Sequence, residues 1–114
     1  MEKENLLIVI SSDNLDSTMK FPLLYGGVSL PRGYWREVQI MFWGASIELL
    51  SKNKEMQEKV VLMQKDGVIF SSCIVCAEDY GVVEELEALG VSCNHTGELL
   101  TLALKSPSWA TLTI

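Results

Sequence analysis

Cys73 and Cys76 stand in the segment Ser71-Ser72-Cys73-Ile74-Val75-Cys76-Ala77-Glu78-Asp79-Tyr80-Gly81. The chemistry such residues offer is nucleophilic, because the thiolate form of cysteine attacks electrophilic atoms and ligates metals. The segment follows Gly67-Val68-Ile69-Phe70, which reads as a buried strand. It precedes Val82-Val83-Glu84-Glu85-Leu86-Glu87-Ala88-Leu89, which reads as an amphipathic helix. Two thiols are therefore expected where a strand ends and a helix begins. Open α/β sheets place their chemistry at the carboxyl ends of strands. A helix N-terminus also favours negative charge, which enriches a thiolate. Cys73 comes first after the strand and is expected to face the loop crevice, which makes it the favoured nucleophile. The alternative for either thiol is a small buried apolar group.

The other candidates are more scattered. Cys93 and His95 offer a second thiol and a base near the same crevice, or else a core cysteine and a loop histidine. Ser12 and Asp13 follow the first strand and either line that edge or cap a helix. Gly44 follows the second strand, where a glycine lets backbone approach a ligand closely. Tyr80 closes the cysteine segment and is a further candidate for the crevice lining. Zinc needs about four ligands, so two thiols and one distant histidine fall short and no metal is expected. Ile74-Val75 is atypical between the thiols of a thioredoxin-type pair. No dinucleotide, Walker or Ser-His-Asp signature is present, and no cofactor is expected. Trp35, Phe42 and Trp43 read as core and interface packing.

The elements that must position these residues alternate in type. Leu6–Ile10 is a continuous apolar run rich in β-branched residues, suited to a strand buried on both faces. Ser11-Ser12-Asp13-Asn14 supplies turn and cap side chains for a helix over Leu15–Leu30, in which Pro22 tends to kink and Gly26-Gly27 suggests close packing on the sheet. Val38–Trp43 is the second strand, with Gly44-Ala45-Ser46 as its turn. Helical sequence starts at Ile47–Leu50, is interrupted at Ser51-Lys52-Asn53, and resumes over Lys54–Lys65 with Met56, Val60, Val61 and Met63 on one side. The third strand spans Val68–Ser71, and the helix beyond it opens near Cys76. Val91–Cys93, Gly97–Leu104 and Trp109–Ile114 read as strand, helix and strand. Strands alternating with helices predict a parallel sheet covered on both faces, joined by right-handed crossovers.

A length of 114 residues fits one domain over 1–114. Such a domain buries roughly two-thirds of its unfolded surface. Hydrophobic residues at 48% and charged residues at 21% are ordinary for a globular chain and exclude disorder. The net charge of −6 argues against nucleic acid and against an anionic membrane surface. Met1–Asn5 is mixed in charge and carries no signal-peptide pattern. No apolar run approaches the roughly 20 residues of a membrane span. Three cysteines fit a reducing compartment, so a cytoplasmic location is expected.

Beyond these patterns, nearly the whole chain resembles the DsrE/DsrF-like family, which includes sulfur-relay proteins. The resemblance runs from Leu6-Leu7-Ile8-Val9-Ile10-Ser11-Ser12 to Leu112-Thr113-Ile114. Its most specific part is Cys73-x-x-Cys76 followed by Gly81-Val82. Val38–Ser46 and Tyr80–Val91 resemble a subgroup of small members. The resemblance implies a three-layer α/β/α sandwich with a five-stranded parallel sheet that assembles into trimers or hexamers. It also implies that Cys73 carries a persulfide between donor and acceptor proteins. Cys76 matches a second thiol found in some members. Relay members often carry basic residues before the glycine, where this chain has Asp79 and Tyr80. Glu78 and Asp79 oppose thiolate formation. Two readings follow. One is a persulfide carrier, with Cys73 attacking a sulfur donor and Cys76 resolving the product. The other is a non-catalytic oligomeric binding module for a small ligand or a partner loop.

Overall fold

The computed structural model describes residues 3–114. Met1 and Glu2, which open the stretch read for a signal segment, lie outside the described residues. Five apolar or alternating runs form the strands β1 (Asn5–Ile10), β2 (Glu37–Phe42), β3 (Ile69–Cys73), β4 (Ser92–Asn94) and β5 (Trp109–Thr113). The helices are α1 (Leu15–Lys20), α2 (Pro22–Ser29), α3 (Ala45–Lys52), α4 (Lys54–Lys65), α5 (Ile74–Tyr80), α6 (Val83–Ala88) and α7 (Thr96–Lys105). All strand pairs are parallel, in the order β4-β3-β2-β1-β5. The expected α/β/α sandwich with a five-stranded parallel sheet is the observed fold.

The layers are unequal. Leu6, Ile8 and Ile10 of β1, with Val38, Ile40 and Phe42 of β2, face the main core. Leu23 of α2, Leu50 of α3, Met63 of α4, Ala77 of α5 and Leu86 of α6 pack on that side. Phe42 stacks on Phe70 with ring centroids 5.9 Å apart. The alternate residues Leu7, Val9 and Met41 face the other way and meet Ala103 of α7. One helix thus covers a face whose opposite side carries at least five. Gly26 fits the close packing expected of it, since a Cβ there would lie 3.1 Å from Ile40 Cδ1 and 3.3 Å from Ile8 Cδ1.

Several boundaries differ from expectation. The helix expected over Leu15–Leu30 is two helices. Pro22 has no N–H to donate and crowds the residue before it, and Phe21 takes φ −122° and ψ −82° at the junction. The helix expected to open near Cys76 also divides. Gly81 sits at φ 70° and ψ 34°, its N–H donating to the carbonyls of Ala77 and Glu78, and this left-handed residue ends α5 before α6 begins. β3 runs on to Cys73 because Ser71, Ser72 and Cys73 pair with Ser92, Cys93 and Asn94 of β4. β4 itself is shifted one residue along, to Ser92–Asn94. The interruption at Asn53 is as expected: its side chain accepts the Met56 N–H at 2.8 Å and caps α4. Among the described residues no helix is long and apolar enough to cross a membrane.

Candidate functional site

Chain direction decides where a crevice opens. The connections after β1, β2 and β3 stay on the main-core side, each stepping one strand along the sheet. The connection after β4 crosses to the opposite side as α7 and returns to β5 beside β1. The neighbours β3 and β4 therefore send their following helices to opposite faces. Such a switch point leaves a crevice at the carboxyl ends of the strands. A cavity of about 880 Å³ lies there. Cys73, Ile74, Val75 and Cys76 form one wall, and His95, Thr96, Gly97 and Glu98 at the start of α7 form the other. Trp43, just past β2, also lines it.

Cys73 is both the last residue of β3 and the residue from which α5 starts. It lines the cavity but is only 8% exposed and belongs to the main hydrophobic core, so it is far more enclosed than a cysteine facing an open crevice was expected to be. Cys76 lies one turn into α5 and is half-buried. The two side chains are within hydrogen-bonding reach of each other. Burial is the main force pushing the Cys76 thiol above its ordinary pKa. The Gly44 backbone N–H, donated to its sulfur, opposes that. The hydrogen bond to Cys73, the charge of a Cys73 thiolate, and Asp79 add to the upward push in that order. The net effect holds the Cys76 proton more tightly than in an ordinary thiol. Gly44 can aim its N–H this way because it holds φ 57° and ψ −135°, a conformation in effect reserved for glycine.

The remaining candidates divide. His95 is brought to the cavity, whereas Cys93 is not. Successive strand residues point to opposite faces, and Cys93 pairs with Ser72 and packs against the main core. Burial, then Glu87, pushes its thiol upward. Ser12, Asp13, Gly44 and Tyr80 do not line the cavity. Ser12 and Asp13 follow β1, two strands away from β3. Ser12 Oγ accepts the Asn14 N–H at 3.1 Å, and Asn14 is the residue that caps α1. Tyr80 is at the far end of α5 from the thiols. Gly44 acts through its amide on Cys76 instead. The thiol pair and His95 are joined by Thr96, Gly97 and Trp43, which sequence reasoning had not placed there. The signal for the first two was the polar run Asn94-His95-Thr96-Gly97-Glu98 after a strand. Among the described residues, no three of His, Cys, Asp and Glu converge as a metal ion would require.

Neither a protein-family profile nor a curated protein sequence matches the chain. Among solved structures, a conserved protein of unknown function from Bacteroides thetaiotaomicron, BT1422, superposes with a TM-score of 0.92. It is 30% identical, over 97% of this chain and 95% of that one. The chain belongs to the BT1422 family. The ychN protein from E. coli superposes over 100% of both chains with a TM-score of 0.71 and 12% identity. That level of identity speaks for the fold alone, which is DsrE-like. In this BT1422-family chain the thiol pair lies at the carboxyl edge of a DsrE-like sheet.

Proposed function

We propose that this BT1422-family protein is a thiol-based sulfur carrier of the DsrE/DsrF type. The observation that carries the reading is the placement of Cys73 and Cys76 together on the wall of the switch-point crevice. Cys73 sulfur attacks the outer sulfur of a persulfide donor. The donor's S–S bond breaks, its own thiol leaves with the electron pair and takes up a proton, and Cys73 holds the sulfur as a persulfide. Cys76 serves first as proton donor beside that sulfur. An acceptor thiol then takes the outer sulfur. Alternatively, Cys76 attacks Cys73, releasing hydrosulfide and leaving a Cys73–Cys76 disulfide for a reducing thiol to reopen.

The test is intact mass after incubation with a cysteine desulfurase and cysteine. A gain of one sulfur is expected in wild type and in Cys76→Ser, with none in Cys73→Ser. No gain in any of the three would sink the carrier reading. The second reading, a binding module, is favoured by the low exposure of Cys73 beside a large, mostly apolar cavity. It would take over in that event.

A further inference from the structure

We propose that the apolar crevice and the acidic helices around it form a docking surface for a basic segment of a partner protein, in which lysine or arginine side chains flank an aliphatic one. Charge is laid out unevenly along this chain. Residues 66–104 hold seven of the fifteen acidic side chains and no lysine or arginine. The rest of the chain holds the other eight and all nine basic ones, so it is close to neutral, and the net charge of −6 belongs to this one stretch. The stretch is also gathered in space. It runs from just before β3 through α5, α6 and β4 into α7, the elements at and around the β4 edge of the sheet. Glu78 and Asp79 of α5, Glu84, Glu85 and Glu87 of α6, and Glu98 of α7 are all exposed. Among the described residues the ion pairs join Asp16 to Lys20, Glu4 to Arg36 and Glu48 to Lys52, so none of these six carboxylates has a cationic partner in the chain. Nor do they meet at one point, since no three of His, Cys, Asp and Glu among the described residues converge as a metal ion would require. Like charge spread along helices attracts an extended cationic partner.

The crevice supplies the apolar contact. Val75 lines the cavity and is 54% exposed. It stands three and four residues before Glu78 and Asp79 in α5, so one face of that helix presents all three side chains. Glu98, on the opposite wall, lines the same cavity. A segment that lays its cations on Glu78, Asp79 and Glu98 therefore crosses the mouth of the crevice, and its aliphatic side chain meets Val75 there. Cations seated this way also offset the upward push of Asp79 on the Cys76 thiol. A second copy of the chain suits this surface poorly, because it brings the same charge of −6. The docking stands without sulfur transfer. Only the identity of the docked protein as sulfur donor or acceptor rests on the carrier reading.

The experiment follows fluorescence anisotropy of rhodamine-labelled synthetic peptides titrated with the full chain. The first peptide carries leucines between pairs of lysines. The second has glutamates for the lysines, and the third has serines for the leucines. Only the first should bind tightly, and its affinity should fall as salt rises from about 0.05 to 0.3 M. Glu78→Gln combined with Asp79→Asn should weaken it about three- to tenfold, the worth of two screened charge contacts. Glu55→Gln combined with Glu58→Gln removes as much charge from α4, outside the acidic stretch, and should change it by less than about twofold. Val75→Ser should weaken it about threefold or more. Equal losses in the α5 and α4 pairs would overturn the proposal, since net charge alone would then be responsible. So would an unchanged affinity in Val75→Ser, or no binding of the first peptide to wild type. A light-scattering mass that drops in Val75→Ser would give the crevice to a second copy instead. Sulfur loading is read separately. A chain that prefers the lysine–leucine peptide but gains no sulfur keeps this surface and loses the carrier reading. The reverse result loses the surface and keeps the carrier.

Discussion

At the scale of single residues, the proton on Cys76 is the feature that other measurements can reach. Cys76 and Cys93 both hold their protons more tightly in the folded chain than an ordinary thiol does. The folded state therefore binds protons that the unfolded chain has already released. The stability this contributes is complete below the unfolded thiol value of about 8.5. It is lost as pH rises through the higher folded values. Urea unfolding across that range should show wild type weakening with pH, and Cys93→Ala weakening less. Equal slopes would contradict the burial-driven shift. Asp79 is the last-ranked of the influences raising the Cys76 pKa. Asp79→Arg should lower it and speed alkylation of Cys76 at neutral pH by roughly twofold, because solvent screens an exposed charge. Peptide mapping of timed iodoacetamide labelling reads this directly.

At the scale of elements, the turn from β2 into α3 matters more than its length suggests. Gly44 links the two halves of the crevice's support, since its N–H meets Cys76 of α5 while its own backbone starts α3. A Cβ at φ 57° and ψ −135° is strained although nothing lies within 4 Å of it. Gly44→Ala should cost about 1–3 kcal/mol in denaturant unfolding. It should also raise the Cys76 pKa further, since the amide that stabilises the anion is displaced. A variant of unchanged stability and unchanged alkylation profile would show that the turn is more permissive than its dihedrals imply.

The whole molecule shows an imbalance between its two faces. On the α7 side, Ile69 of β3 is 51% exposed and Leu102 of α7 is 69% exposed. Leu102 borders both the main cavity and a second one of about 360 Å³ floored by Leu7 and Gln39. Leu104, also on α7, is exposed as well. Apolar surface of this kind usually marks an interface. A homo-oligomer is expected, a trimer or a multiple of it in keeping with the family resemblance. Light scattering at micromolar concentration should give that mass for wild type and a lower one for Leu104→Glu. A monomeric wild type would refute the expectation. Of the large aromatics that first suggested an interface, Trp43 and Trp109 are half-buried and line the two cavities on this side, whereas the other two are engaged within the chain. Phe42 is fully buried in the core, and Trp35 Nε1 donates to the Tyr25 hydroxyl at 2.9 Å.

The alternation of strand and helix, the parallel sheet, the Asn53 break and the strand-end position of Cys73 were all legible in the sequence. Each depends on local signals: β-branched runs, cap residues, and the period of the apolar positions. Pro22 and Gly81 were legible too as breakers, and reading each as the end of a helix would have placed both junctions. Which residues share the crevice was a different matter. Cys93 and His95 are two residues apart, a spacing that pleating alone would keep on one face, but β4 ends at Asn94 and the turn into α7 carries His95 to the cavity while Cys93, paired with Ser72, stays on the main-core side. Ser12 sits at the correct edge of the sheet but after the wrong strand. Thr96 carries no local mark of function at all. Its place opposite Cys73 follows from the one connection that changes face, the passage from β4 through α7 to β5. That choice is made by which apolar faces find each other across the whole chain, and only the tertiary structure records it.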